Sequence, residues 1–289
     1  MLKKTEKGET TVEIEAVPGQ QRVWKPVTAV GKLVQEGTIT TMEDIFAQGL
    51  AVLEAEIVNR LVPGLQEDLL LIGQAKGKFG GGQRRIFRQT QKKTAEGNRV
   101  HFTTCALIGN KNGYVGIGTG KSKETVPSRD KAKRNARVAL IRVRRGCGSW
   151  ECNCRQPHSI PYAVKGKCGS AEILLRPAPK GKGLVVDREV AKVLAMAGIK
   201  DIWSKTFGQT KTKMNLLQAV MEALRTLSRM KIKPEDIERL GIIDGMIKVA
   251  EEAEAVKLSP EISPDAATVK VVDAVEAAGA VDVVEADHG

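Results

Sequence analysis

The sequence predicts an α+β chain. A first domain is ordered helix–strand–strand–strand–helix and a second is of βαβ type, flanked by an extended N-terminal arm and an acidic, disordered C-terminal tail. Three observations predict it. Apolar residues recur at helical spacing in some stretches and as short runs or alternations in others. Glycine and proline mark the switches between those patterns. Charge is segregated: residues 251–289 contain ten acids and two lysines, a net of −8, so the rest carries +20 against an overall +12. A length of 289 residues suits two or three modest domains better than one. The divisions fall at 1–40 (arm), 41–145 (first domain, with a basic loop at 76–99), 146–168 (a Cys/His insertion), 169–233 (second domain) and 234–289 (a helical segment and the tail).

Residues 1–40 are polar without a sustained period and read as an arm that orders on a partner. Thr41, with Asp44 three positions on, supplies a helix N-cap. Ile45, Phe46, Leu50, Leu53, Ile57 and Leu61 follow at helical spacing, so one helix is predicted up to Pro63-Gly64. Residues 69–72 are a short apolar strand. After the basic loop, residues 99–108 and 114–117 form a hairpin across a turn that contains Asn112-Gly113. Pro127 and Ser128 open a helix to Val143 with Ala132, Ala136, Ala139 and Leu140 inward. In the second half, residues 161–164, 171–175 and 199–205 read as strands, 177–183 as a Pro/Gly/Lys loop, and Asp187 as the cap of a helix ending at Gly198. Residues 213–230 form a helix that buries Leu216, Leu217, Val220, Leu224 and Leu227, and 234–249 hold one more helical segment. The tail after Glu251 is read as disordered.

The basic excess points to a polyanion. Lys76, Lys78, Arg84, Arg85, Arg88, Lys92, Lys93 and Arg99 crowd a loop loosened by Gly80-Gly81-Gly82. Lys121 and Lys123 open a second run, in which Arg129, Lys133 and Arg137 recur every fourth residue with no balancing acid on their stripe. Asn112, Arg144 and Arg145 complete the candidate RNA-contacting set. Aromatic residues are 3% of the chain, which favours contacts to the RNA backbone and shape over stacked bases. The first domain's element order is that of a double-stranded-RNA-binding-like α-β-β-β-α module. No stretch of 18 apolar residues occurs and the N-terminus lacks the apolar core of a secretion signal, so a cytoplasmic chain without membrane contact is expected.

The glycines at 113, 116, 118 and 120, followed by Lys121-Ser122, fail the nucleotide-binding spacings. A phosphate-binding loop needs glycine where Val115 stands, and the dinucleotide fingerprint needs a different interval. They are read as allowing close approach of an RNA chain. Cys147, Cys152, Cys154, His158 and Cys168 leave two readings open: a tetrahedral zinc held by four of the five, or reduced cysteines in a turn-rich insertion. An odd cysteine count argues against a disulfide framework, and Cys105 in an alternating strand reads as packing. His101, His158 and His288 lack a catalytic setting, so no enzyme and no small-molecule substrate are expected.

These stretches resemble the universal small-subunit ribosomal protein five family. The residues that carry it are 102–109 with Asn112-Gly113, Val115-Gly116 and Gly118; then Gly169-Ser170, Leu175, Pro177-Ala178, Gly181, Gly183, Leu194, Ala197-Gly198-Ile199, Asp201 and Gly208-Gln209-Thr210. The helix at 41–62, the run at 142–146 and the long insertion before Gly169 resemble the archaeal type. The resemblance implies a structural ribosomal protein. It would bind small-subunit ribosomal RNA near the decoding region and the messenger RNA path, and it would contribute to translational accuracy through ribosomal protein four. Lys180, Gly181, Lys182, Gly183 and Arg188 map to that interface, and proteins two, three and eight are expected nearby. No cofactor is required beyond a structural zinc. The alternative is a non-ribosomal RNA-binding or RNA-chaperone module.

Overall fold

The computed structural model describes residues 24–75 and 82–246. The first part of the arm, Lys76 and Lys78, and the acidic tail therefore lie outside the described residues. The described arm is not wholly extended. It carries α1 (Ala29–Glu36), capped by Thr28. The Glu54 carboxylate accepts hydrogen bonds from Trp24 Nε1 and the Val27 and Thr28 amides, which fastens this segment to the body.

The helix predicted from Thr41 starts as expected. Thr41 and Asp44 form a reciprocal capping box on α2 (Met42–Ala47). It does not run on to Pro63. Gly49 adopts φ +67, and the Leu50 amide returns to the Ile45 carbonyl, which closes the helix. A second helix, α3 (Ala55–Leu61), begins after an extended stretch. The apolar spacing persists across the break because both pieces face one cluster, which includes Ile45, Ile57, Val58 and Val62.

The first sheet contains β1 (Gln66–Leu69), β2 (Arg88–Thr94), β3 (Gly97–Gly109) and β4 (Tyr114–Ser122). Both β1 and β2 pair antiparallel with β3, β1 along residues 106–109 and β2 along 97–103. They act as one edge strand split by an excursion. Gly73 and Arg85 close its base, through Gly73 N to Arg85 O at 2.8 Å and Arg85 N to Gln74 O at 3.1 Å. Much of the predicted basic loop is thus a strand, and the three-strand order holds with its first strand interrupted.

The helix α4 (Thr125–Val138) covers one face of the sheet. It stops short of Val143, because β5 (Ile141–Arg142) turns back to pair with Tyr114 and Val115. The glycines of β4 have a role other than the expected one. A Cβ at Gly116 would lie 2.3 Å from Ala136 O, at Gly118 2.1 Å from Ala136 N, and at Gly120 2.2 Å from Ser128 O. They let the helix backbone sit against the sheet, with Ala132 and Ala136 opposite. Close approach to RNA is not what requires them.

The chain then forms β6 (Arg144–Arg145), a loop with the cysteines and histidine, and a second sheet. Its strands are β7 (Val164–Cys168), β8 (Ala171–Pro177) and β9 (Leu184–Val185), and then, after α5 (Arg188–Met196), β10 (Ile202–Phe207), arranged β7–β8–β10–β9. Because β7 reaches back to Val164, the insertion is shorter than expected. Asp187 caps α5 by accepting from the Glu189 amide. The helix α6 (Lys213–Arg229) buries Leu216, Leu217, Val220, Leu224 and Leu227 against this sheet, as its spacing predicts. The short α7 (Pro234–Leu240) and β11 (Ile243–Asp244) follow, and β11 pairs with β6.

One apolar core runs through both halves. Leu70, Ile72, Cys105, Leu107 and Val115 join Val190, Leu194, Ile202 and Leu224 in it. The turn between β3 and β4 is held to the end of α5 by Lys111 N to Met196 O (2.9 Å) and Gly113 N to Ala197 O (3.2 Å). Gly198, at φ +83, is required there, since a Cβ would lie 2.3 Å from Lys111 O.

Candidate nucleic-acid interface and metal-ligating cluster

Residues on a strand alternate between faces. Across the β2–β3 register, Arg88 stands opposite Thr103, Thr90 opposite His101 and Lys92 opposite Arg99, while Thr103 also faces Lys121 on β4. Arg88, Lys92, Arg99, His101 and Lys121 therefore share one face. Further along β3 that same face turns inward as Cys105 and Leu107. The outer end lacks this cover: Arg88, Lys92, Arg99 and Lys121 are exposed. Like charges directly opposite on paired strands repel. Lys92 and Arg99 do so here, relieved in part by the exposed Glu96, which bonds Arg99. A phosphate chain laid over the hairpin supplies the missing negative charge.

Two recesses adjoin this face. One, of about 260 Å³, is lined by Arg84, Arg88, Lys211 and Lys213 among others, where the excursion after β1 meets the start of α6. Lys211 is a cation that sequence reasoning missed, since it stands far along the chain and only the fold brings it to Arg84, whereas Lys213 is already paired with Asp187 at 2.6 Å. The other, of about 590 Å³, includes His101, Lys121, Lys123 and Lys131. Lys93 and Arg85 are exposed, Lys93 on the opposite face of the hairpin.

The remaining candidates are differently placed. Arg144 is 7% exposed. Its guanidinium donates to both Asp244 carboxylate oxygens, at 2.5 and 2.9 Å, and to the Leu227 and Met230 carbonyls. Arg145 is 4% exposed and donates to Asn112 Oδ1 and the Gly245 carbonyl. Arg144 and Arg145 are thus buried joints of the fold rather than surface cations, and half-buried Asn112 braces Arg145. The stripe on α4 is also not without acids. Glu67 on β1 bonds both Lys133 Nζ (2.8 Å) and Arg137. Arg129 lies over the Phe87 ring at 5.4 Å, an orienting cation–π contact.

The loop after β6 gathers a different chemistry. Sulfur atoms of Cys147, Cys152 and Cys154 and an imidazole nitrogen of His158 all lie within 4.8 Å of one another. Gly146 and Ser159 exchange two backbone hydrogen bonds, which close the loop at its base. The Cys147 amide is anchored to Leu240 O at 2.8 Å. The His158 ring is fixed from behind, with Nδ1 2.9 Å from Asp201 Oδ2 and both side chains buried, while Nε2 faces Cys152 Sγ at 3.8 Å. Burial pushes the Cys147 thiol up to about 11, whereas a hydrogen bond from the Lys180 amide is the main cause pulling Cys152 down to about 6. Three thiols and one imidazole, the latter oriented by a carboxylate, fit tetrahedral zinc. Cys168 stands apart, donating to Gln218 Oε1 at 3.2 Å, so it is the spare member of the five. Asp201 escapes sequence reasoning, since 43 residues separate it from His158 in the chain.

Lys180, Gly181, Lys182 and Arg188 are exposed. Gly181 and Gly183 adopt φ +86 and +74, and a Cβ on either would meet nothing within 4 Å. The loop is a protruding turn tethered at its ends.

Two family domains match the chain. Residues 86–144 match the family described as ribosomal protein S5, N-terminal domain, and residues 166–239 match its C-terminal domain. A protein named small ribosomal subunit protein uS5 from Nanoarchaeum equitans is 45% identical over 224 residues, covering 78% of this chain and 96% of that protein. Proteins of the same name from Methanobrevibacter smithii (44% over 219 residues; 76% and 96%) and Staphylothermus marinus (46% over 202 residues; 70% and 87%) are similarly close.

Proposed function

The chain belongs to the ribosomal protein S5 family, as an archaeal-type member of a structural, non-enzymatic family, and from that premise we propose how it works. It is a constituent of the small ribosomal subunit in the cytoplasm, and it binds small-subunit ribosomal RNA through the exposed face of the β2–β3 hairpin and the recess beside α6. The observation that carries this is Lys92 placed opposite Arg99, with Arg88 and Lys121 on the same uncovered face. Such a surface is at its lowest energy against a polyanion.

The test is sedimentation of small subunits washed at high salt. A subunit constituent stays with the particle, whereas a loosely held RNA chaperone is recovered in the supernatant, which would overturn the assignment.

The finer reading concerns decoding. By family resemblance, Lys180, Gly181, Lys182, Gly183 and Arg188 meet ribosomal protein four near the decoding region and messenger path, with proteins two, three and eight as neighbours. The open space around Gly181 and Gly183 supports an intermolecular role, because a side chain there would project away from the rest of the described chain. If two subunit states are closely balanced, about 1.4 kcal/mol shifts their ratio tenfold. Gly183→Arg is expected to change stop-codon readthrough more than the sucrose-gradient profile. Normal readthrough with defective assembly contradicts it. The Cys/His loop is assigned a structural zinc held by Cys147, Cys152, Cys154 and His158, which supplies the loop with a centre it is too short and polar to build from apolar packing.

A further inference from the structure

We propose that metal occupancy of the Cys147–Cys152–Cys154–His158 cluster sets the conformation of the Lys180–Gly183 loop, so that a protein-facing surface depends on a metal. The proposal rests on the zinc reading above.

Two contacts carry it, one at each end of the loop. At Gly183, the backbone amide donates to Asp201 Oδ1 at 2.8 Å, while the other oxygen of that carboxylate holds His158 Nδ1 at 2.9 Å. Asp201 is 4% exposed and His158 5% exposed, so solvent does not substitute readily for either partner. At Lys180, the ammonium reaches Gln156 Oε1 at 3.0 Å within the cysteine loop. The backbone beside Asp201 is joined in as well, since the His158 carbonyl accepts from the Lys200 and Asp201 amides.

The physical consequence follows from the donors. A metal drawn to Nε2 keeps the proton on Nδ1, which aligns the imidazole with Asp201 and leaves Oδ1 free to hold Gly183 N. A metal shared by Cys152, Cys154 and His158 fixes the segment between them, and Gln156 with it, beneath Lys180. Without metal, the sulfurs and the imidazole lose their common centre, and both tethers slacken. The middle of the loop, Gly181 and Lys182, touches little of its own fold and follows its ends.

Asp201→Asn separates the links. An asparagine has one acceptor oxygen where aspartate has two, so it serves His158 or Gly183 but not both. The experiment is amide hydrogen exchange on the full chain, metal-free and loaded with cobalt(II) as a spectroscopic substitute for zinc. Loading is expected to slow exchange at Lys180 and Gly183 by at least about tenfold. In Asp201→Asn, the tetrahedral cobalt spectrum is expected to persist while exchange at Gly183 no longer responds to loading and that at Lys180 still does. Cys154→Ser, which touches neither Asp201 nor Gly183, should lose both the spectrum and the protection, with Cys168→Ser as the silent control. Cobalt bound with unchanged exchange at both amides overturns the proposal and leaves the metal reading standing. No cobalt binding at all overturns both.

Discussion

Arg144 shows how far a residue's chemistry depends on where the chain folds it. Its run of basic neighbours reads as a phosphate-binding arm, but its partners are Asp244 and two backbone carbonyls 83 and 86 positions away. Carbonyls are present at every residue, so no sequence signal marks the ones an arginine will find. Replacing Arg144 with Met should cost about 3 kcal/mol in urea unfolding, the low end for a broken buried pair because Asp244 reaches solvent. The salt dependence of RNA binding should stay as in the unaltered chain. A stable variant with a shallower salt slope would return Arg144 to the RNA interface. The cysteines are more legible. Their spacing names five candidates, and the fold removes Cys168 by placing it against Gln218. Metal analysis should find about one zinc per chain in Cys168→Ser and none in Cys154→Ser. Zinc absent from the former and kept by the latter would contradict the assigned set.

At the scale of elements, local signals give the starts of helices more reliably than their ends. Thr41 with Asp44 and Asp187 are capping side chains that act within three residues, and both are visible in the sequence. The break at Gly49 is a local left-handed stop hidden by apolar spacing that runs on past it, whereas the early end of α4 depends on β5 returning to pair with β4, which spacing alone does not reveal. The β4 glycines carry a specific expectation. Gly118→Ala places a methyl against the backbone of Ala132 and Ala136, so α4 must move off the sheet. The loss should be about 3 kcal/mol, at the upper end for overpacking because backbone has nowhere to rotate, and it is read as a lowered thermal midpoint. An unchanged midpoint with weakened RNA binding would favour the opposite idea, that these glycines exist to admit RNA.

For the whole molecule, the sequence conveys the order of elements and the sign of the charge but not the continuity of the core. The two domains expected from the change of composition after Arg145 are matched by the family's N-terminal and C-terminal domains. What the composition does not convey is that their cores meet, with Leu107 and Val115 packed with Val190 and Leu194 and the halves joined at Gly198. The same folding brings Lys211 to Arg84 and Arg88, and lets Glu67 neutralise part of α4. The cationic surface is consequently centred on the hairpin rather than on the helix stripe. That is the central claim, and the salt dependence of binding to a small-subunit ribosomal RNA fragment tests it most directly. Arg84, Arg85, Arg88, Lys92 and Lys93 changed together to Gln should weaken binding and flatten the log–log slope by roughly 0.7–0.9 for each phosphate no longer neutralised. Changing Lys133 and Arg137 should alter the slope far less, since Glu67 already engages them. A five-residue variant that binds with the unaltered slope would contradict the account.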